Sequence, residues 1–568
     1  MTNKEIARLL KLTTSLLELH DENPFKIRTY TNAVFNIEKQ EDPLYEKNRE
    51  ELEALDGIGK GLAQAILEIQ NRGSFQLLDE LIANTPEGIL EMINIKGLGP
   101  KKIKVLWKEL NIENVDQLYD ACKKGQIEKQ KGFGIKTQES ILQNLDYLIS
   151  QRGKVHFADA ELAAEELISW LRNALPSQKI ELTGDIRRKL EVIDKIEIII
   201  DCNDCTPITN LLQESRMVQI DEKKSGPFSL RGTFADKNLL CHIRCTEPSK
   251  FHTKMMLSTG SGSHLSNITK DNISLQEYLL NHEIEREEAA YLEFNMPYIV
   301  PEMREGTFEI AFSNNNSTPE LLTADDIRGP FHNHSNYSDG NNTIRQLAAY
   351  CMQQGYEYLG LSDHSKSAFY ANGLQEFQIK KQHEEIDALN QEMAPFRIFK
   401  GIESDILNDG SLDYENDVLA TFDFIVASIH SNLNMDLSKA TQRLLKAIEN
   451  PFTTMLGHPT GRLLLQRQGY PVDHKIIIDA CAKHEVIIEI NANPWRLDLD
   501  WRWINYAIEK GVILSINPDA HEIEGFNDMK YGVYIGRKGG LTKEMTFNTW
   551  PLEKVERYLN ERKSKIKS

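Results

Sequence analysis

Phe331-His332-Asn333-His334-Ser335-Asn336-Tyr337-Ser338-Asp339-Gly340 decides how the C-terminal half of the chain is read. It ends a short apolar run with two histidines and then a carboxylate. The same pattern recurs further on, in Ser362-Asp363-His364, Gly401-Ile402-Glu403, Ala427-Ser428-Ile429-His430-Ser431, Leu456-Gly457-His458-Pro459 and Asn517-Pro518-Asp519-Ala520-His521. The apolar runs are Gly329–Ser335, Tyr358–Asp363, Arg397–Ile406, Phe424–Ser431, Thr454–Pro459, Val486–Ala492 and Val512–Asp519. Between them lie segments of helical period: Asn342–Gln354, Gln375–Met393, Ser438–Glu449, Asp473–His484 and Asp500–Lys510. Strands alternating with helices predict a parallel sheet with right-handed crossovers, closed or nearly closed into a barrel. In such folds the strand ends share one mouth. His332, His334, Asp339, His364, Glu403, His430, His458, Asp519 and His521 are therefore expected together. Imidazole and carboxylate without thiolate suit zinc, manganese or iron. A single histidine at a strand end is more often a hydrogen-bonded structural residue. Nine such residues at one end of successive strands are hard to explain that way.

These motifs resemble the polymerase-and-histidinol-phosphatase (PHP) domain. The resemblance implies a distorted seven-stranded α/β barrel that holds up to three metal ions and hydrolyses phosphoesters, with all nine ligand positions filled here. It favours Mn²⁺ or Zn²⁺, with Mg²⁺ as an alternative. Glu403 would bridge metals in the catalytic group. His430 is expected as a ligand, or as an outer-shell residue. Asp363, Asp405 and Ser362 are candidates to support the ligands. Lys366 and Arg462 lie near ligand motifs and are read either as holding substrate phosphates, Arg462 within the catalytic group, or as solvated surface cations.

The chain has 568 residues, enough for several domains. No stretch has the length of a membrane span, and the N-terminus lacks a signal-peptide pattern, so no membrane partner is expected. Seven cysteines without short regular spacings point to a reducing, cytoplasmic compartment. The net charge of −19 argues weakly against nucleic acid, but a basic patch can be local.

Residues 1–150 read as all helix, with three Gly-apolar-Gly turns at Gly57-Ile58-Gly59, Gly97-Leu98-Gly99 and Gly132-Phe133-Gly134. Each is expected to open a helix whose free N–H groups and dipole favour a phosphate. Lys101 and Lys102 follow the second turn, and from Lys96 to Lys136 there are ten lysines against five carboxylates. Each turn could be a plain helix connection. Three copies with interleaved lysines favour binding of the DNA backbone without sequence preference. They resemble tandem helix-hairpin-helix motifs. With Asn23-Pro24-Phe25-Lys26-Ile27-Arg28-Thr29-Tyr30, the arrangement is similar to the amino-terminal domain of X-family DNA polymerases. Some members of that family use a lysine in the helix after the first hairpin as a lyase. Ala65 stands there in this chain, so that activity is not carried over.

Residues 151–312 read as mixed α and β. Thr183-Gly184-Asp185-Ile186-Arg187-Arg188 before a strand, and Thr259-Gly260-Ser261 after a second one, resemble the X-family nucleotidyltransferase palm and thumb. The segment Pro297–Gly306 resembles what precedes the PHP domain in bacterial members. Aligning Gly184-x-x-Arg187-Arg188 with the family's phosphate-binding turn puts Lys195 and Glu197 at the paired metal-binding aspartates and His242 at the third. The polymerase site is therefore expected to be degenerate. Cys202-x-x-Cys205 and Cys241-x-x-x-Cys245 allow a zinc site, with buried unpaired thiols the commoner explanation. Residues 313–325 read as a polar linker, 326–568 as the PHP domain, and Glu561–Ser568 as a solvated, lysine-bearing end.

Together these readings describe a multidomain DNA-repair protein with a metal-dependent phosphoesterase, expected to act as a 3′–5′ exonuclease with polymerisation lost. The alternatives are an active gap-filling polymerase with exonuclease, a small-molecule phosphatase, and a non-catalytic DNA scaffold. Oligomeric state and protein partners are not legible in the sequence.

Overall fold

The computed structural model describes residues 3–38, 43–55, 57–93, 95, 97–235, 239–314 and 318–567. Asn315, Asn316 and Ser317 of the expected linker and Lys96 of the basic stretch lie outside them. Two units divide the chain, residues 1–152 and residues 153–568.

Among the described residues, every regular element of the first unit is helical. Ile6, Leu10, Leu17, Ile66, Ile103 and Leu118 are fully buried in its core. The three glycine turns fold alike. In each, the amide of the apolar residue donates three positions back: Ile58 to Leu55 (3.1 Å), Leu98 to Ile95 (3.0 Å) and Phe133 to Gln130 (3.0 Å). The apolar side chain is the anchor, buried in all three turns. The first glycine takes φ of 76, 88 and 89° at Gly57, Gly97 and Gly132, a region that costs an L side chain strain. The second glycine caps the following helix, Gly59 before Lys60–Arg72, Gly99 before Pro100–Leu110 and Gly134 before Ile135–Gln151.

The second unit begins with a mixed sheet, whose strands we number β1 (Ile180–Thr183), β2 (Lys195–Asp201), β3 (Val218–Ile220), β4 (Ser229–Phe234) and β5 (Leu239–Thr246). Their spatial order is β1-β2-β5-β4-β3, and β2 and β5 run parallel with Glu197 opposite His242. Alternation along β2 puts Ile196, Ile198 and Ile200 on one face and Lys195, Glu197 and Ile199 on the other. All four isoleucines are fully buried, so both faces are covered. Neither reading of the cysteines holds for Cys205 and Cys245, which form a disulfide. Cys245 sits beside Ile200 on the neighbouring strand and the chain turns back after β2, which brings the two Cα atoms to 5.7 Å, within bridging distance. Cys202 and Cys241 remain free thiols.

Six parallel strands follow: β6 (Tyr358–Leu361), β7 (Arg397–Asp405), β8 (Phe424–Ser428), β9 (Met455–Leu456), β10 (Ile487–Asn491) and β11 (Leu514–Asn517), paired in sequence order. Helices connect them, including Glu376–Glu392, Leu437–Ile448 and His474–His484. Among the described residues the parallel sheet has six strands, which corrects the expected seven. The first apolar run is not a regular strand, because each of its two sides makes only isolated bonds. Gly360 and Ser362 donate to Pro330 and Asn333, while Asp519 donates to His332 and His334 donates to Ala520. The run thus lies between β6 and β11, the two edges of the sheet. Beneath it Phe331, Tyr358, Phe399, Phe424 and Phe547 pack in one aromatic core.

The mixed sheet and the parallel sheet share one unit. Trp501 and Arg502 donate to Glu191 at 3.2 and 2.9 Å, and the buried Lys538 ammonium donates to the carbonyls of Arg188 and Glu302. The described part of the expected linker is anchored, with Leu322 fully buried and its amide bonded to Leu541. The C-terminal run is not a free end. It closes the helix Leu552–Lys567, and Arg562 donates to the carbonyls of His484, Glu485 and Thr453.

Candidate metal centre

All nine predicted side chains meet at the C-terminal ends of the parallel strands. Glu403, on β7 and 1 % exposed, is the hub. Its Oε1 lies 3.2 Å from His332 Nε2, 3.0 Å from His430 Nε2 and 3.1 Å from His458 Nε2, and its Oε2 lies 2.8 Å from His364 Nδ1. Asp519 Oδ1 is 3.0 Å from His334 Nε2, and Asp339 Oδ1 is 3.3 Å from His521 Nε2. Donor atoms converge in three groups: His334 with Asp339, His364 and His521; His332 with His334 and Asp519; His364 with Glu403 and His430. His458 touches the third group through Glu403. Asp519 holds φ of 54°, uncommon for a non-glycine residue but tolerated by aspartate, and its amide is tied to the His332 carbonyl.

The donor set fits divalent ions. His334 Nδ1 and His458 Nδ1 are buried and make no hydrogen bond, and His332 Nε2, His364 Nδ1 and Glu403 Oε2 are in contact without hydrogen-bond geometry, an arrangement that a cation would complete. Several opposite nitrogens are fixed from behind. His332 Nδ1 is 2.7 Å from Glu489 Oε1, and His430 Nδ1 is 2.5 Å from Asp405 Oδ1. Such a carboxylate sets the tautomer, with Nδ1 carrying the proton and Nε2 aimed inward.

The charges balance within the cluster. Burial opposes ionisation of Glu403 and Asp519, yet the surrounding imidazoles hold both carboxyls well below their usual range. Burial likewise pulls His332 down, but Glu489, Glu403 and Asp519 outweigh it and raise its pKa. Burial, with His521 and His364 close by, lowers His334 to about 3. Asp363 behaves differently. Burial lifts it to about 6 while Ser338 and Ser335 donate to it, which locks the turn carrying Asp339.

Arg462 does not reach this centre. Its guanidinium is bonded to Asp500 and to the carbonyls of Arg496 and Leu497, so it fastens the 496–500 segment. Lys366 faces Glu376 at 3.5 Å. The cation at the cluster is Arg496, with Nε 3.6 Å from Asp519 Oδ2. Sequence reading missed it, along with Glu489 and Asn491. The latter two were detectable, because Ile487-Ile488-Glu489-Ile490-Asn491 places polar groups every second residue inside a fully buried strand.

In the mixed sheet, Glu197 faces two cations and an imidazole, with Arg244 Nη2 at 2.8 Å, Lys195 Nζ at 3.7 Å and His242 Nδ1 at 3.7 Å. Burial would raise its pKa, but His242, Arg244 and Lys195 bring it to about 2. The two arginines expected at a phosphate-binding turn are engaged elsewhere. Arg187 is bidentate to Glu287 at 2.7 and 3.1 Å, and Arg188 bonds Glu305 and the Thr259 carbonyl. Gly184 cannot be replaced freely, since a Cβ there would stand 2.0 Å from Glu197 Oε2.

Residues 330–493 match the family model described as PHP domain, which stops short of Asp519 and His521. Residues 1–75 match a helix-hairpin-helix domain, and 89–146 a SAM-like helix-hairpin-helix tandem. The DNA polymerase/3′-5′ exonuclease PolX of Bacillus subtilis (strain 168) is 35% identical over 577 residues, covering 98% of this chain and 99% of the relative. The chain belongs to the bacterial PolX family. A protein named "probable phosphatase" from Thermoanaerobacter sp. (strain X514) is 26% identical over 235 residues, 39% of this chain and 90% of its own length. PolX membership thus rests on the full length, and the second relative on the smaller share. The Bacillus PolX is named for both polymerase and exonuclease and aligns through the mixed sheet, so that comparison does not indicate a lost polymerase. No described helix is long and apolar enough to cross a membrane.

Proposed function

We propose that this chain is a metal-dependent 3′–5′ DNA exonuclease, with His332, His334, Asp339, His364, Glu403, His430, His458, Asp519 and His521 holding up to three ions, Mn²⁺ or Zn²⁺. The carrying observation is the convergence of eight of these side chains in three donor groups, with His458 joined to them through Glu403. When bound, the ions supply Lewis-acid activation of water and neutralise phosphoryl charge. The protein's own residues do the positioning. Glu489 and Asp405 orient His332 and His430, Asp363 fixes the turn bearing Asp339, and Asn491 donates to Asp519 at 3.0 Å. Arg496 holds a phosphate oxygen of the strand. The test is polarity of digestion. A 5′-labelled strand gives a descending ladder, whereas a 3′-labelled strand releases labelled mononucleotide at once. Release of inorganic phosphate from monoesters, with DNA left intact, would favour the small-molecule reading.

The two arginines separate by readout. Arg496→Ala raises KM for DNA about 30-fold, within the ~1.5–3 kcal/mol of a hydrogen bond to a charged group. Arg462→Ala instead costs stability, about 1–3 kcal/mol, because the carbonyls of Arg496 and Leu497 lose their guanidinium donor and Asp500 keeps only Arg502. Parallel KM titrations and thermal melts of the two variants check this. A KM change confined to Arg462→Ala would reverse the assignment.

The glycine turns, Gly57 and Gly59, Gly97 and Gly99, Gly132 and Gly134, with Lys101 and Lys102, grip the DNA backbone in this reading. Lys101 is exposed, and Lys102 Nζ folds onto the Gly97 carbonyl at 3.0 Å. Replacing both with Glu weakens binding equally for all sequences and flattens the log-affinity against log-salt slope by about 1–2. Fluorescence anisotropy across a salt series measures it, and an unchanged slope would remove these lysines from the interface.

A second reading, retained gap filling, is favoured by the name of the Bacillus relative. The surroundings of Glu197 favour loss, and we assign the palm a structural role.

A further inference from the structure

After His364 the chain makes a tightly closed loop. Ser365 and Leu374 are bonded to Glu403 and His364, and Ser367 is held by Asp405 and Asp413. Ala368 and Ala371 are fully buried, and Gly373 packs so closely that a Cβ would stand 1.8 Å from the Ser365 carbonyl. Between these anchors the short 3₁₀ turn Phe369–Ala371 pushes two aromatic rings outward, with Phe369 80% and Tyr370 70% exposed. A loop fixed this firmly does not leave large rings in water by default.

The ring of Tyr370 lies beside the centre, 6.3 Å between centroids from His364. The aromatic surface and the cluster are thus within one nucleotide's reach. Glu403 and His332 are recessed, with side chains 1 % and 0 % exposed, so a terminal phosphodiester can reach them only if its base leaves any helical stack. An unstacked base presents a bare face that an aromatic ring covers without reading sequence.

We propose that Tyr370, with Phe369 beside it, is the stacking platform for the unpaired base at a DNA 3′ end, resting on the exonuclease reading above. It makes the enzyme favour strands that carry a terminal base.

The test uses the full chain with Mn²⁺ and two 5′-labelled single strands, identical except that one ends in a nucleotide and the other in an abasic analogue. The wild type prefers the base-ended strand in KM by about tenfold, the order of one base–aromatic stack. In Tyr370→Ala that preference falls towards one, in Tyr370→Phe it stays, and Phe369→Ala gives a smaller drop. A wild type without the preference overturns the proposal, as does an Ala variant that keeps it or that slows both strands alike. If the wild type cleaves neither strand, the exonuclease reading fails first. Melting curves of the variants confirm folding, which the exposure of both rings favours.

Discussion

His334→Ala removes metal-stimulated shortening of DNA by more than about 100-fold, beyond the ~10–100-fold typical when only an outer-shell partner is lost. His334 is the shared member of two of the three donor groups, so one substitution disturbs both. Asp519→Asn, nearly the same shape, has the same effect, because it withdraws the charge beside His332 and His334 while keeping an oxygen for Asn491. DNA binding by the hairpin turns is unaffected in both variants, as measured by anisotropy. Digestion at the wild-type rate by either variant, measured on 5′-labelled single strands, would move the site elsewhere.

The second large effect concerns the palm. Nucleotidyl transfer needs carboxylates to hold two ions about 3.5–4 Å apart at the primer end. Glu197 is one carboxylate, and it is bonded to Arg244 and faced by Lys195 and His242. A metal there would have to displace Arg244 and Lys195, which together with a hydrogen bond from His242 overcome burial and hold the Glu197 carboxyl near a pKa of 2. Arg187 and Arg188 hold Glu287 and Glu305 and so are not free for a triphosphate. The structural role proposed for the palm predicts that template-directed extension of a gapped primer is absent with Mg²⁺ or Mn²⁺ in a His334→Ala background, which suppresses degradation. Extension that disappears on Glu197→Ala would establish a working polymerase site and favour the second reading.

The alternation of apolar runs and helical periods was enough to place the six parallel strands, because strands buried on both faces read as continuous apolar runs. The nine clustered residues stood out in the sequence because they lie in or just after such runs. What sequence could not show was who stands behind or beside them. Arg462 and Arg496 are both arginines near ligand motifs, and only the fold decides that one meets Asp500 and the other Asp519. Strand alternation puts Lys195 and Glu197 on one face, but Arg244 belongs to a neighbouring strand, and its approach depends on register. The Cys205–Cys245 disulfide was hidden similarly, by a separation of 40 residues that the parallel pairing closes. The missing seventh strand has another cause: hydropathy marks the run 329–335 as buried, but the ladder is set by its two neighbours.

The central claim is that the clustered histidines and carboxylates bind divalent ions that drive removal of 3′ nucleotides. Its most direct test is to strip the full chain with chelator and titrate Mn²⁺ back, counting bound ions while following a 5′-end-labelled single strand. The stripped protein should leave the strand intact, and a ladder descending from the 3′ end should return in step with ions bound, up to three per chain. Undiminished digestion by the stripped protein would contradict the account, as would no digestion with Mn²⁺, Zn²⁺ or Mg²⁺.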